Sequence, residues 1–136
     1  MKYKHSVWYP DQMEVEHSDK QLSATEVKTK AENYPWKTEL LKFSTLNYDD
    51  IYFNPALEFV CLDDKYSLCL RAEGKPERFS FSVWYNRPRM KKVLFGILGE
   101  KPKFEVVKKT FSQADAFRLL DLFLAKDYLT IEKSMQ

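Results

Sequence analysis

Glycine is nearly missing from this chain, with 3 residues in 136. That excludes a collagen-like repeat and a glycine-rich loop built to cradle phosphates. Cysteine and histidine are as scarce, at 2 each. Two cysteines cannot staple a disulfide scaffold. His5 and His17 lie in a polar segment with no second His or Cys at a ligand spacing, so both read as solvated surface histidines rather than metal ligands. Long apolar runs are absent too: the longest reach about five residues, against the roughly 20 that a membrane-spanning helix needs. Met1 to His5 leads into no apolar stretch, so no signal peptide and no membrane contact are expected, and the cytoplasm is the expected compartment.

What remains is a chain able to build a core. It is 44% hydrophobic and 31% charged, with ten Phe, eight Tyr and three Trp. Its size suits one domain, residues 1–136. The charge is unevenly spread. Residues 1–64 carry 7 Lys/Arg against 12 Asp/Glu and residues 65–136 carry 15 against 8, so the halves differ in sign around a net +2. Such a dipolar surface steers a charged partner.

Turn signals at Asp63-Asp64, Glu73-Gly74-Lys75-Pro76, Asn86-Arg87-Pro88 and Gly99-Glu100-Lys101-Pro102 recur with the rhythm of an antiparallel meander. Between them, Phe79, Phe81, Val83 and Tyr85 alternate with Ser80, Ser82 and Trp84, the period of two of a strand with one buried face. Tyr66, Leu68, Leu70 and Ala72 alternate in the same way. Leu57–Leu62, Met90–Leu98 and Phe104–Thr110 complete an expected sheet of about five strands, the last an edge carrying Lys108-Lys109. The period then changes. Ser112 and Asp115 form a variant capping box ahead of Ala116, Phe117, Leu119, Leu120, Phe123 and Leu124, a helix whose apolar stripe needs the Phe79/Phe81/Val83 face. Upstream, Ser23-Ala24-Thr25-Glu26 opens a helix to about Asn33, with Leu22 and Val27 placed as a hydrophobic staple. Lys37–Leu46 suits a helix or a strand. The fold class is therefore α+β: a meander sheet with a C-terminal helix on one face and helical segments near the N-terminus.

No catalytic constellation stands out, and no enzyme activity or cofactor is expected. The carboxylate pairs Glu14/Glu16, Asp49-Asp50 and Asp63-Asp64 suit turns and solvated faces. Cys61 and Cys69 would sit opposite each other if Asp64-Lys65-Tyr66 were the hairpin loop, as reduced thiols filling a small space. The most concentrated feature is basic and aromatic: Trp84 and Tyr85 followed by Arg87, Arg89, Lys91 and Lys92, with Lys101, Lys103, Lys108 and Lys109 on the next strand. Three readings fit it: a charged edge that resists aggregation, a site for single-stranded nucleic acid, or a docking surface for an acidic protein. Trp84 lies on the side away from the expected core, exposed unless Trp8-Tyr9 or Tyr34-Pro35-Trp36 covers it.

The Asn54-Pro55 entry, the LEFVCLDDKYSLCLR hairpin, the FSFSVWY strand and the terminal TFSQADAFRLLDLFLAKDY helix together resemble the small cytoplasmic immunity proteins of bacterial contact-dependent and polymorphic toxin systems. The likeness spans residues 54–130 and lies in size, element order and texture. It implies a non-enzymatic protein that binds a cognate toxin domain and occludes its active site, with Trp84, Tyr85, Arg87, Arg89, Lys91 and Lys92 as the expected contact residues. Inhibitors of cationic nucleases are acidic overall, whereas this chain is slightly basic. The implied toxin therefore offers an acidic face to the C-terminal half or a basic one to the N-terminal half.

Overall fold

A computed structural model describes residues 1–92 and 100–136, with side chains outside 89–105. Six strands form one antiparallel sheet: β1 (Tyr3–Trp8), β2 (Glu16–Leu22), β3 (Ala56–Cys61), β4 (Ser67–Lys75), β5 (Arg78–Lys92) and β6 (Glu100–Phe111). Their order across the sheet is β2-β1-β3-β4-β5-β6. Helices α1 (Ala24–Asn33) and α2 (Trp36–Thr45) and a short 3-10 turn at Tyr48–Asp50 link β2 to β3, and α3 (Gln113–Leu124) and α4 (Tyr128–Ser134) end the chain. The architecture is α+β, as expected.

The core is the odd-numbered face of β5 and its neighbours. Phe81, Val83 and Tyr85 are fully buried beside Leu68, Leu70 and Ala72 of β4 and Leu57, Phe59 and Cys61 of β3. Helix α3 lays Ala116, Leu119, Leu120 and Phe123 on this surface, each fully buried. Its Phe117 ring meets Phe81 edge-on at 5.6 Å. Burying one large side chain is worth about 1.5–3 kcal/mol, so this contact dominates the packing. The Ser112 hydroxyl accepts from the Asp115 amide and starts α3 at the expected place. The full capping box of Ser23 and Glu26 starts α1, which buries only Val27 and Ala31. The ambiguous Lys37–Leu46 segment is helical as α2. There Trp36 packs on Phe81 at 4.8 Å while its indole N–H donates to the Ala31 carbonyl at 2.9 Å.

Several expectations need correction. The sheet has six strands, because the N-terminal segment contributes β1 and β2. Asn86-Arg87-Pro88 is not a turn: β5 runs straight through it, so Met90–Lys92 continue that strand, and the rest of the expected Met90–Leu98 strand lies outside the described residues. The β4–β5 turn is Pro76-Glu77, closed by Lys75 opposite Arg78, and Glu100–Pro102 belong to β6. Cys61 and Cys69 do not face each other. The Cys61 amide donates to the Tyr66 carbonyl, which makes the loop longer than expected, and Cys69 stands opposite Glu58. Strand alternation then sends Cys61 to the core and Cys69 to the other face. His5 is buried in β1 rather than solvated, and burial, then Lys30 and Lys20, hold its pKa below the ordinary value.

Helix α4 is fastened at several points. The Tyr128 ring stacks on Tyr66 at 3.9 Å, its hydroxyl donates to Asp64 Oδ2 at 2.6 Å, and Glu132 accepts from Arg87 at 2.9 Å. At the far end of β4, Gly74 has φ +114°, and an added Cβ would lie 3.1 Å from the Arg78 carbonyl oxygen. Only glycine enters that region without strain. Gly74→Ala is expected to destabilise the protein by about 1–3 kcal/mol, read from the denaturant midpoint at unchanged slope.

Candidate functional site

The opposite face, called even-numbered after the residues of β5 that it carries, has a different population. Register places one row of residues across all six strands: His17, Ser6, Glu58, Cys69, Trp84 and Lys108. A flanking row runs Trp8, Ala56, Arg71 and Ser82. Among the described residues no helix stripe covers this face. Instead Phe43 of α2 and the segment Ile51–Asn54 close one side of it, leaving a cavity of about 450 Å³. The closing segment is tied down: the Tyr52 amide donates to the Pro10 carbonyl at 2.9 Å, and Asn54 Nδ2 to the Ala72 carbonyl at 3.0 Å.

The cavity walls are aromatic and apolar, from Trp8, Phe43, Tyr52, Trp84 and Val106. Val106 is 52% exposed and Tyr52 48%, so the mouth of the cavity is itself greasy. Trp84 is half-buried. Its indole N–H donates to Ser82 Oγ at 3.0 Å, and Lys108 Nζ lies 4.7 Å from its ring centroid, a cation–π contact. Trp84 is therefore partly covered, by Trp8 and the closing segment but not by Trp36, which lies in the core.

Polar groups interrupt this lining at Glu58, Cys69, Arg71 and Asn86. The Arg71 guanidinium donates to Asn54 Oδ1 at 2.9 Å, leaving its buried Nε without an acceptor. Asn86 Oδ1 is buried without a donor. Glu58 makes no hydrogen bond or ion pair among the described residues. Burial pushes its carboxyl above the ordinary range, opposed by His17. Burial, then the Glu58 charge, pushes the Cys69 thiol well above its usual value, so it stays protonated. The Ser6 hydroxyl and His17 Nδ1 lie 2.7 Å apart, a link between β1 and β2.

Of the contact residues expected from sequence, Trp84 lies on this face. Tyr85 does not: it is fully buried against Tyr66 and Tyr128 and serves the core. Arg87 holds Glu132 of α4. Arg89, Lys91 and Lys92 sit on a two-stranded arm. β5 pairs with β4 only from Arg78 to Asn86 but continues with β6 to Lys92, opposite Glu100. At roughly 3.3 Å per residue the arm adds about 20 Å. The register sets Arg89 opposite Lys103 and Lys91 opposite Lys101.

Glu58, Arg71, Asn54 and Asn86 escaped the sequence reading as site residues, and for the three that lie in strands the signal was a polar position inside an apolar strand. Asp49 and Asp50 lie in the 3-10 turn, apart from Cys61 in the core and Cys69 at the cavity. Among the described residues no three His, Cys, Asp or Glu side chains are grouped to hold a metal ion, and no helix is long and apolar enough to cross a membrane.

No family model, curated protein or solved structure matches the chain.

Glu58 also marks a cost to the free protein. Its folded pKa exceeds its unfolded one, so the folded state binds the extra proton and stability falls as pH rises through that window. Glu58→Gln is therefore expected to raise Tm at pH 7, with the gap closing as pH drops through the carboxylate range. Paired melting curves across that range check it.

Proposed function

We propose that this chain is a non-enzymatic, cytoplasmic binding protein of the toxin-immunity kind, which neutralises a toxin domain by covering its active site with the even-numbered face of the sheet. The observation that carries this reading is the open aromatic surface of Trp8, Tyr52, Trp84 and Val106 beside a basic arm. Trp and Tyr in a partly desolvated hollow make the anchor of a protein interface, and the charged border keeps water out of it. The arm supplies the second element. A stretch so rich in Lys and Arg attracts an acidic surface, which also speeds encounter. The docking set is thus Trp84 with Arg89, Lys91 and Lys92, while Tyr85 and Arg87 support it from behind.

Co-expression with each domain encoded by the genes that flank its own, scored for a toxin that it silences, tests this. The wild-type chain is expected to protect growth. Trp84→Ala is expected to weaken the complex about 30-fold or more, the cost of losing an anchor of about 2 kcal/mol. Reversal of Lys91 and Lys92 to Glu is expected chiefly to slow association and flatten its salt dependence. Full protection by both variants, or no protection by the wild type, rejects the reading. Tight, steeply salt-dependent binding to single-stranded oligonucleotides would instead assign the arm to nucleic acid.

A further inference from the structure

The cavity beneath Trp84 holds three polar groups whose needs are unmet and different. Glu58 is a carboxyl that makes no hydrogen bond or ion pair among the described residues, with only the His17 charge acting on it. Arg71 Nε is a buried donor lacking an acceptor, and Asn86 Oδ1 a buried acceptor lacking a donor. A buried polar atom left unpaired is a cost, so an occupant that pairs Arg71 Nε and Asn86 Oδ1 gains from both, and one that also meets Glu58 gains further. Their spacing limits what that occupant is. Arg71 stands opposite Ser82, and Asn86 lies four residues further along the same strand. At roughly 3.3 Å per residue that separation is about 13 Å, with Glu58 and Trp84 on the row between.

A small cation meets Glu58 but not the other two. A carboxylate meets Arg71 but is repelled by Glu58. An extended stretch of peptide meets all of them, its carbonyl taking the Arg71 donor and its N–H the Asn86 acceptor, provided the side chain between them is positively charged. The walls agree, since Trp8, Tyr52 and Trp84 line the cavity and aromatic rings attract cations, as Trp84 already does with Lys108 Nζ at 4.7 Å.

We propose that this cavity is a recognition pocket for a lysine or arginine on an extended loop of the partner protein, with Glu58 as its counter-charge. The assignment rests on the toxin-binding reading for the occupant's being a protein loop. It divides the labour on this side of the molecule: the arm meets acidic surface, and the pocket takes a single basic residue.

The full-length protein, labelled with nitrogen-15, is titrated with the capped tripeptide acetyl-Gly-Arg-Gly-amide, its lysine counterpart, and versions bearing citrulline or glutamate in the middle. The indole N–H signals of Trp8 and Trp84 report the pocket, and that of Trp36, bonded to Ala31 in the core, is the internal control. The expected result is saturable movement of the Trp8 and Trp84 signals by the basic peptides with Trp36 still. Citrulline, the uncharged isostere, is expected to bind at least tenfold more weakly and glutamate more weakly again. In Glu58→Gln, the preference for arginine over citrulline is expected to vanish. Equal affinity for citrulline, a preference for glutamate, an arginine preference that survives Glu58→Gln, or no movement at the solubility limit of the peptides overturns the pocket assignment. The citrulline comparison needs no variant, so misfolding cannot mimic it. A chain that protects against its toxin yet fails these titrations loses only the pocket, whereas absence of protection strikes the broader reading.

Discussion

The seating of α3 on the odd-numbered face of the sheet is the contact on which everything else depends. Leu119, Leu120 and Phe123 reach full burial only because Phe81, Val83 and Tyr85 present a continuous apolar surface to them. Helices α1 and α2 also give their buried apolar residues, Val27, Ala31, Trp36 and Leu40, to this core. The even-numbered face therefore receives only Phe43 and the segment Ile51–Asn54, and the gap that they leave is the cavity. The hollow aromatic face is in this sense a by-product of where the hydrophobic stripe had to go.

Much of this was legible in the residues, and where it was not, the reasons are physical. The two-residue period of Phe79–Tyr85 and the three-to-four period of Ala116–Leu124 are both local signals, and both placed their elements correctly. So did the cap residues Ser23 and Ser112, whose hydroxyls act within three residues. Strand β2 was invisible because an edge strand need bury almost nothing: of its seven residues only Leu22 is buried. Strand β1 pairs with β3, some fifty residues away, and no local pattern announces such a partner. Pro88 looked like punctuation. It lies where β5 has lost its β4 neighbour, beyond Asn86, and one side of the strand is an open edge of the kind on which proline is found.

The site was harder still. Trp84 was legible by alternation alone, but Tyr85 and Arg87, adjacent to it in sequence, belong to the opposite face or to α4. Clustering along the chain is a poor guide to clustering in space when the backbone is extended. Glu58 and Arg71 each looked like an ordinary outward-facing polar residue in a half-buried strand. Only the tying of Asn54 to Arg71 and to the Ala72 carbonyl, a tertiary event, roofs them over.

The interleaving of the two faces has a consequence for how such a molecule can change. In β3, β4 and β5 every second residue packs into the core and the ones between face the proposed docking side. Substitutions at Glu58, Cys69, Arg71, Trp84 or Asn86 therefore leave the packed layer beneath untouched. Specificity can be rewritten along these strands one alternate position at a time, without passing through an unfolded ancestor. The same arrangement forbids insertions and deletions there, since a slip of one residue would exchange the two populations wholesale.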